Sequence, residues 1–484
     1  MCVLPSAEAA EAFADDLRLF LGGEENGGQR VRLYPAWDVP AFEGLSPSNE
    51  ILATQIEGLY ALLATDTPVL VTSIEALAQR VFPQEELIAA TLNLRPGQEL
   101  PLSDLLDHLI QWGYRRVPLV EEKGEVSVRG GIIDLFPPLA TQPLRMEFFG
   151  DTIESIRAFD PASQRSVAQA GEVTLLPMRF FSLARLQAGR RAVEQAMAES
   201  EVTHREQQRI AANLKSGLPF PGVEFLLPHL YPALESLSDY LPRGTVVWLV
   251  EPASAEAALD NYWNQLSTHA AEAHTAGHFV SAPEQLYLGT TEILTHLASR
   301  FTVALEGLEN VDADLTVTTS LLTDLKAVLH AKGGEGGLAP LAERVRYWQD
   351  EHVRVFLAVS STLQAAHLQN LLLGHGLRLP VVSTSTWQEP SLPSAAIVVG
   401  HLSQGFTLPA DGLVFISEEE IFGERRHRRR ARPRPVADYL TGLSQLTTGD
   451  YVVHIDHVIG IYQGLRHLSV AGTEGDYLHL EYAG

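Results

Sequence analysis

The segment "GEVSVRGGIIDLFPPLATQPLRMEFFGDTIESIRAFDPASQRSV", residues 124–167, alternates apolar and polar residues with a period of two. Successive side chains of a strand point to opposite faces, so this alternation predicts strands that bury one face. The candidate strands are Glu125–Phe136, Leu144–Phe149 and Ile153–Phe159, with Gly150-Asp151 as a tight turn between the last two. Elements predicted around them are strands at Thr91–Arg95, Val117–Val120 and Val173–Pro177 and a helix at Leu102–Trp112. The sequence therefore predicts a small β-rich domain.

Helix and strand patterns alternate on both sides of this domain, which is typical of α/β modules with parallel sheets. The elements predicted before it are a helix at Ala7–Leu21 and strands at Val31–Tyr34 and Val69–Thr72. Those predicted after it are a helical stretch at Phe181–Ser216 and a strand at Thr245–Pro252. A second α/β unit is predicted over Leu305–Glu419, with strands at Val353–Val359, Ala395–Val399 and Leu413–Ile416 and a helix at Leu363–Leu373. The β-rich domain is thus an insert in an α/β protein.

The composition limits the class of protein. With 484 residues, 45% apolar and 20% charged, the chain is typical of a globular protein of about three domains. No apolar run reaches the roughly 18–20 residues that span a bilayer, and the N-terminus lacks a basic stretch followed by an apolar one. Cys2 is the sole cysteine, which excludes an internal disulfide framework and a thiolate zinc cluster. We therefore expect a cytoplasmic protein without membrane contact.

The charge is strongly negative but unevenly distributed. A net charge of −25 excludes a general DNA-coating surface, which needs a broad basic face. The exception is "GERRHRRRARPRP", residues 423–435, which holds seven arginines directly after Glu418-Glu419-Glu420. Alternating acidic and basic blocks with prolines cannot bury a core, so one interpretation is a mobile tether. The alternative is a local DNA contact through Arg425, Arg426, Arg428, Arg429 and Arg430.

Catalytic patterns are missing or misplaced. A phosphate loop reads GxxxxGK[ST], and the sequence has no Gly-Lys dipeptide, no HExxH and no GxSxG. Asp350-Glu351-His352 precedes an apolar strand instead of following one, which favours a solvated helix end. Glu251 does end a buried strand, but Val250 stands where a magnesium-binding Asp would be needed. His454 and His457 lie three apart on a strand pattern and face opposite sides. We therefore expect a binding protein with no cofactor.

The insert carries an unusual outer face. In "LRMEFF", residues 144–149, the even positions are apolar, so Arg145, Glu147 and Phe149 share the outer face. The preceding strand likewise directs Arg129 outward, which predicts an exposed Arg, Arg, Phe set on adjacent strands. That composition is typical of an interface hot spot. The alternative is that Phe149 packs under a loop and the arginines are solvated.

Four ordered stretches carry a resemblance. They are "RLYPAWDVPAFEGLSPSNEILATQIEGLYAL" at 32–62, the segment 124–167, "LSQGFTLPADGLVFISEEEIFGERR" at 402–426 and "GDYVVHIDHVIGIYQGL" at 449–465. Together they resemble the N-terminal half of the bacterial transcription-repair coupling factors, the Mfd family. The second stretch also resembles a domain of the excision-repair protein UvrB, and the fourth is similar to the polymerase-binding domain of CarD-type regulators.

The resemblance implies an α/β multidomain architecture. It consists of a UvrB-like, degenerate RecA-type α/β module split by a β-rich insert, a second α/β domain, a linker and a partial Tudor/SH3-like barrel. The implied ranges are 1–92 and 179–302 for the split module, 93–178 for the insert, 303–420 for the second α/β domain, 421–440 for the Arg/Pro-rich linker and 441–484 for the barrel. The first range resembles a module truncated at its N-terminus, "HLEYAG" resembles an incomplete barrel, and no translocase motor is expected.

The implied function is that of a non-catalytic adaptor in transcription-coupled repair. It would recruit UvrA through the insert and contact the RNA polymerase β subunit through the barrel. The family's UvrA contacts match Arg129, Arg145 and Phe149, and its apolar polymerase contact matches Leu468, for which a core leucine is the alternative. Val458 and Ile461 stand where the family usually has Gly and Arg. Two other functions stay open: a CarD-like transcription regulator and, disfavoured by the missing motifs, an ATP-dependent nucleic-acid enzyme.

Overall fold

A computed structural model describes residues 1–21, 30–63, 68–308, 313–331, 338–382, 393–423, 451–454, 458–470 and 473–481. The chain forms two units, residues 1–423 and 424–484. The mixed α/β class with several sheets is as predicted. Among the described residues, no helix has both the length and the apolar character needed to cross a bilayer.

The first α/β module is built on a parallel five-stranded sheet of order β15-β14-β1-β3-β2. Its strands are β1 Cys2–Leu4, β2 Val31–Tyr34, β3 Val69–Ser73, β14 Val247–Val250 and β15 Thr302–Leu305, with a separate pair β4 Arg80–Val81 and β13 Glu235–Ser236. Its helices are α1 Ala7–Phe20, α2 Asn49–Leu63, α3 Ile74–Ala78, α4 Gln84–Ala90, α6 Leu183–Ala198, α7 His204–Ser216, α8 Leu227–Leu230, α9 Leu237–Tyr240, α10 Pro252–Thr275, α11 Pro283–Leu286 and α12 Thr290–Ala298.

The sequence analysis does not predict two strands of this sheet, β1 and β15. Strand β1 has only three residues, and it is held in part by the Met1 ammonium group, which donates to the Val246 carbonyl at 2.8 Å. Strand β15 is an edge strand with exposed and half-buried residues, so its apolar pattern is weak. Because β15 extends to Leu305, the predicted boundary at residue 302 falls inside a strand. The other domain boundaries stay predictions.

The insert contains a six-stranded sheet and a two-stranded neck. The sheet has the order β11-β10-β9-β8-β7-β6 and is antiparallel except between β6 and β7. Its elements are α5 Leu102–Gln111, β6 Arg115–Arg116, β7 Glu125–Arg129, β8 Ile132–Leu135, β9 Leu144–Phe149, β10 Thr152–Phe159 and β11 Ser166–Gln169. The neck pairs β5 Leu92–Leu94 with β12 Val173–Leu175, where the chain enters and leaves the insert.

Two predicted strands of the insert are wrong in detail. Glu125–Phe136 is a hairpin whose turn is Gly130-Gly131, and Gly130 adopts a positive φ of 61° that glycine tolerates best. At Gly131 an added Cβ would approach the Phe148 carbonyl oxygen to 2.9 Å, so the neighbouring strand also requires glycine. Val117–Val120 is not a strand, because Pro118 has no N–H for a ladder.

The second α/β module confirms the predicted strands closely. Its sheet has the order β16-β20-β21-β17-β19-β18, in which β17, β18, β19 and β21 are parallel. The elements are β16 Ser320–Leu321, β17 Arg354–Val359, β18 Val381–Val382, β19 Ala395–Val399, β20 Phe406–Leu408, β21 Leu413–Ile416, α13 Thr323–Ala331, α14 Ala339–Asp350, α15 Thr362–Gly374 and α16 Glu418–Phe422. The acidic run forms α16, where buried Glu420 accepts hydrogen bonds from Ser417 and Gly405. The predicted linker start at 421 therefore lies within a helix.

The described residues of the second unit form three antiparallel strands in the order β22-β23-β24. They are β22 Tyr451–His454, β23 Val458–Val470 and β24 Thr473–Glu481. A strand-rich C-terminal segment is therefore confirmed, and its closure into a barrel stays a prediction. The arginine run lies outside the described residues.

Helix α1 links the two α/β modules. Ala10 and Ala14 pack on the first sheet, while Leu19 and Phe20 pack against the second. The Phe20 ring centre lies 5.1 Å from that of Phe415 in an edge-on arrangement. Asp16 accepts hydrogen bonds from the Ser403 amide at 2.7 Å and the Ser403 hydroxyl at 2.5 Å. One helix therefore carries contacts to both sheets.

Replacing Asp16 with alanine is expected to loosen the loop around Ser403. The two Ser403 donors would lose their acceptor, which typically costs about 1–3 kcal/mol. Hydrogen exchange of the amides in residues 400–405 should quicken by roughly tenfold or more. Asp15→Ala is the control, because Asp15 makes only a surface ion pair with Arg18. Equal exchange in the two variants would contradict the proposed link.

Candidate partner-binding surface

The insert sheet has a core face and an outer face, and the strand register fixes which residues share each. The core face carries Val126, Ile133, Leu135, Leu144, Met146 and Ile156. The outer face carries one row of Ser127, Asp134, Arg145 and Arg157, a second row of Arg129, Ile132, Glu147 and Ser155, and Phe149 opposite Thr152 at the tip. The predicted division of inward and outward positions on β7 and β9 is therefore correct.

Phe149 is open to solvent. Its residue surface is 81% exposed, and it directly precedes the Gly150-Asp151 turn that joins β9 to β10. Gly150 has a φ of 61°, which suits a two-residue hairpin turn. The alternative that Phe149 packs under a loop is therefore wrong. A large aromatic side chain at a hairpin tip is available to enter a pocket on another molecule.

Arg129 is also exposed, and its hydrogen-bond acceptor is an uncharged backbone carbonyl. Its Nη2 donates to the carbonyl oxygen of Pro118 at 2.5 Å. No carboxylate pairs with it in the part of the chain that the structure describes, so its charge is not neutralised by the insert. The predicted adjacency to Arg145 is wrong, because β8 lies between β7 and β9 and alternate strands are about 10 Å apart.

Arg145 is held tightly by the protein itself. Its Nε and Nη2 donate to the two carboxylate oxygens of Asp134 at 2.7 and 2.8 Å, and Nη1 donates to the Gln164 carbonyl at 3.3 Å. The guanidinium carbon also lies 4.8 Å from the ring centre of Phe159. The side chains of Arg145 and Asp134 are only 20% and 5% exposed. The hydrogen bonds from Arg145 to Asp134 raise the pKa of Arg145, so it stays charged.

This geometry corrects the expectation that Arg145 points freely into solvent. Replacement by glutamate would place two carboxylates together in a half-buried site, which would damage the fold. Another arginine of the face, Arg157, pairs with Glu147 at 2.9 Å, and Ser155 donates to the same Glu147 oxygen at 2.8 Å. Arg145 and Arg157 are thus neutralised by carboxylates, and Arg129 is not.

Comparisons with known proteins match three parts of the chain in order. The UvrB interaction domain model matches residues 92–181, the MFD D3 domain model matches 347–421, and the CarD-like/TRCF RID domain model matches 446–484. The transcription-repair-coupling factor of Myxococcus xanthus is 34% identical over 505 residues, which cover 100% of this chain and 42% of that protein. Over its whole length, this chain is similar to the N-terminal part of the transcription-repair-coupling factors.

Further members of the family show the same pattern. The transcription-repair-coupling factor of Escherichia coli (strain K12) is 27% identical over 512 residues, which cover 100% of this chain and 42% of that protein. That of Mycobacterium bovis is 29% identical, covering 97% of this chain and 39% of that protein. The chain therefore spans about two fifths of the length of these relatives and corresponds to their N-terminal part.

Two further sequence candidates, Glu251 and Asp350, lie at the ends of regular elements. Glu251 directly follows β14, which is only partly buried, and its carboxylate accepts the backbone N–H of Gly307 at 2.6 Å. Asp350 is the last residue of α14, which confirms a helix end there. Among the described residues, no group of three or more His, Cys, Asp or Glu side chains is placed to hold a metal ion.

The remaining candidates lie in the second unit. Leu468 is on β23 opposite Gly475. His454 is on β22 opposite Val458. His457 and the arginines Arg425, Arg426, Arg428, Arg429 and Arg430 lie outside the described residues. Their roles in contacting polymerase or DNA stay predictions.

Sequence reasoning missed Asp134, the outer-face residue that pairs with Arg145. It stands in the apolar stretch "IIDL", and its side chain is 5% exposed. The sequence signal that could have located Asp134 is Gly130-Gly131, because two glycines commonly form a hairpin turn. A turn at these residues pairs β7 with β8 and places Asp134 opposite Ser127 on one side. Pairing of β8 with β9 then places it opposite Arg145 on the other.

Replacing Arg145 with glutamine is expected to destabilise the insert. It would leave Asp134 as an unpaired, buried carboxylate, which costs about 3 kcal/mol, near the lower end for a broken buried pair. Hydrogen exchange of the β8 and β9 amides would report this as faster local opening. Arg157→Gln is the matched control, because its pair with Glu147 is more exposed and should contribute less than about 1 kcal/mol. Equal protection in both variants would show that the Asp134 pair is not structural.

Proposed function

We propose that the chain is a non-catalytic adaptor of transcription-coupled nucleotide excision repair that recruits UvrA through the outer face of its insert. The observation that carries this proposal is the 81% exposure of Phe149 at the tip of a sheet that matches the UvrB interaction domain. Buried aromatic anchors dominate many interfaces, and an exposed phenylalanine on a rigid hairpin loses little entropy when it is covered.

The proposed contact residues have different tasks. Phe149 is the apolar anchor. Arg129 supplies a charge that the insert does not neutralise, which suits an acceptor group on UvrA. Arg145 supplies N–H groups from a guanidinium already fixed by Asp134. The three side chains share one face, although β8 separates Arg129 from Arg145 and Phe149.

The second proposed partner is the β subunit of RNA polymerase. The support is the match of residues 446–484 to the CarD-like/TRCF RID domain. We infer that β22–β24 belong to a Tudor/SH3-like barrel with Leu468 as an apolar contact, and that the first α/β module is a degenerate RecA-type fold. The arginine run would then join the modules as a tether or touch DNA beside the polymerase.

Particular features of the chain discriminate between the competing functions. An ATP-dependent enzyme needs a phosphate loop and a magnesium carboxylate, whereas Glu251 here fixes the Gly307 loop. A CarD-like regulator has one specific observation in its favour, the match at the C-terminus. In that case the insert would be scaffold, and binding of UvrA would not depend on the outer face.

Replacing Phe149 with alanine is expected to weaken UvrA binding about 30-fold, since truncating a hot spot costs about 2 kcal/mol. The melting temperature should not change, because the side chain is exposed. Calorimetric titration of UvrA together with thermal melts would measure both. Val167→Ala is the control, since Val167 is 60% exposed on β11 of the same sheet. Unchanged UvrA affinity in Phe149→Ala, with RNA polymerase still bound, would favour the regulator.

The chain is expected to release no phosphate from ATP above a protein-free blank. The reason is that the 484 residues contain no Gly-Lys dipeptide for a phosphate loop. A colorimetric phosphate assay on the purified chain, alone and with DNA, would measure this. Glu251→Gln is the matched variant. Steady release from the parent chain that Glu251→Gln abolishes would make the enzyme the better interpretation.

A further inference from the structure

Asp134 is a buried carboxylate that pairs with Arg145, one of the proposed UvrA contacts. Its side chain is 5% exposed and lies on β8 between Ser127 of β7 and Arg145 of β9. Both of its carboxylate oxygens accept from Arg145, at 2.7 and 2.8 Å. A two-point contact between a planar guanidinium and a planar carboxylate fixes the orientation as well as the position of the arginine.

The hydrogen-bond inventory of Arg145 leaves part of the guanidinium available. An arginine has five N–H donors. Asp134 takes one from Nε and one from Nη2, and the Gln164 carbonyl takes one from Nη1. The N–H groups that remain are one on Nη1 and one on Nη2. The Phe159 ring, 4.8 Å from the guanidinium carbon, further restricts the group.

We propose that Asp134 is a positioning residue for UvrA capture: it holds the Arg145 guanidinium so that the remaining N–H groups are presented to the partner. This inference rests on the proposed function. An unrestrained arginine side chain has many rotamers, and binding must remove that freedom. Asp134 removes it in the free protein. It also neutralises the charge, so the group that Arg145 receives from UvrA is an oxygen acceptor that needs no net charge, such as a carbonyl.

A purely structural role for the ion pair makes a different prediction. In that case Asp134 and Arg145 only join β8 to β9, and any loss of UvrA binding follows from a weakened sheet. A pair that restores the sheet without a guanidinium separates the two roles. Asp134→Leu/Arg145→Met is such a pair, since apolar residues of similar volume can replace a buried ion pair without loss of stability.

The experiment is a double-mutant cycle on the affinity for UvrA, measured by calorimetry with the full chain. The variants are Asp134→Asn, Arg145→Gln, their combination and the Asp134→Leu/Arg145→Met pair. Asp134→Asn is expected to lower affinity about tenfold, and adding it to Arg145→Gln should cause no further loss, because it acts through Arg145. The apolar pair should keep β8–β9 hydrogen exchange at the parent level and still bind UvrA weakly.

The control weakens the same sheet from its core face. Val126 of β7 is fully buried and packs in the core of the insert. Val126→Ala should speed hydrogen exchange in β7 without changing UvrA affinity. A loss of affinity in this variant as large as that in Asp134→Asn would show that a weakened sheet alone accounts for the effect.

Several results would overturn the proposal. Parent affinity in Asp134→Asn, parent affinity in the apolar pair, or independent losses from Asp134→Asn and Arg145→Gln would each reject the positioning role. If Phe149→Ala weakens UvrA binding while these results occur, the proposed function stands and only the role of Asp134 is wrong. If the parent chain does not bind UvrA, both proposals are wrong.

Discussion

Helix α1 is the element on which the arrangement of residues 1–423 depends. Its small residues Ala10 and Ala14 allow the helix to lie close to the first sheet, and Leu19 and Phe20 at its end enter the core of the second. The polar contact between Asp16 and Ser403 lies beside that apolar contact. Burial raises the pKa of Asp16, while the hydrogen bonds from Ser403 favour its ionised form. Two α/β modules are thus joined by the two faces of one helix.

The insert is attached by contacts of a similar kind. In the two-stranded neck, the strand that enters the insert pairs with the strand that leaves it. Just after the neck, Arg179 forms an ion pair of 2.5 Å with Glu224 of the first module, which is fully buried. Gly113 lies against the same arginine, and a Cβ there would come within 2.8 Å of its side chain. A buried charge that keeps its partner resists displacement, because separation would leave it unpaired. The outer face is therefore presented on a base that is anchored at both the neck and the ion pair.

Alternation in the sequence was enough to predict the faces of the insert but not the pairs across its strands. The exposure of Phe149 follows from its odd position in "LRMEFF", and the structure agrees. The pattern continues through Gly130-Gly131 without interruption, so periodicity predicts one strand there and assigns no cross-strand partner to Asp134. Whether Arg145 is solvated or paired depends on register, which periodicity alone does not fix. Strand β1 was missed for another reason: three residues are too few to show any period.

The distribution of charge on the outer face is consistent with the proposal that Phe149 is the main contact with a partner. Burying a phenylalanine side chain contributes about 1.5–3 kcal/mol, and the free chain leaves that contribution unused at Phe149. The neighbouring arginines Arg145 and Arg157 already have carboxylate partners. A protein that binds this face would therefore bury little uncompensated charge at these two residues. Arg129 alone among the three keeps a charge that can orient an approaching partner. In the proposed complex, Phe149 would supply affinity, the charge of Arg129 would orient the partner, and the paired charges of Arg145 and Arg157 would hold the face rigid.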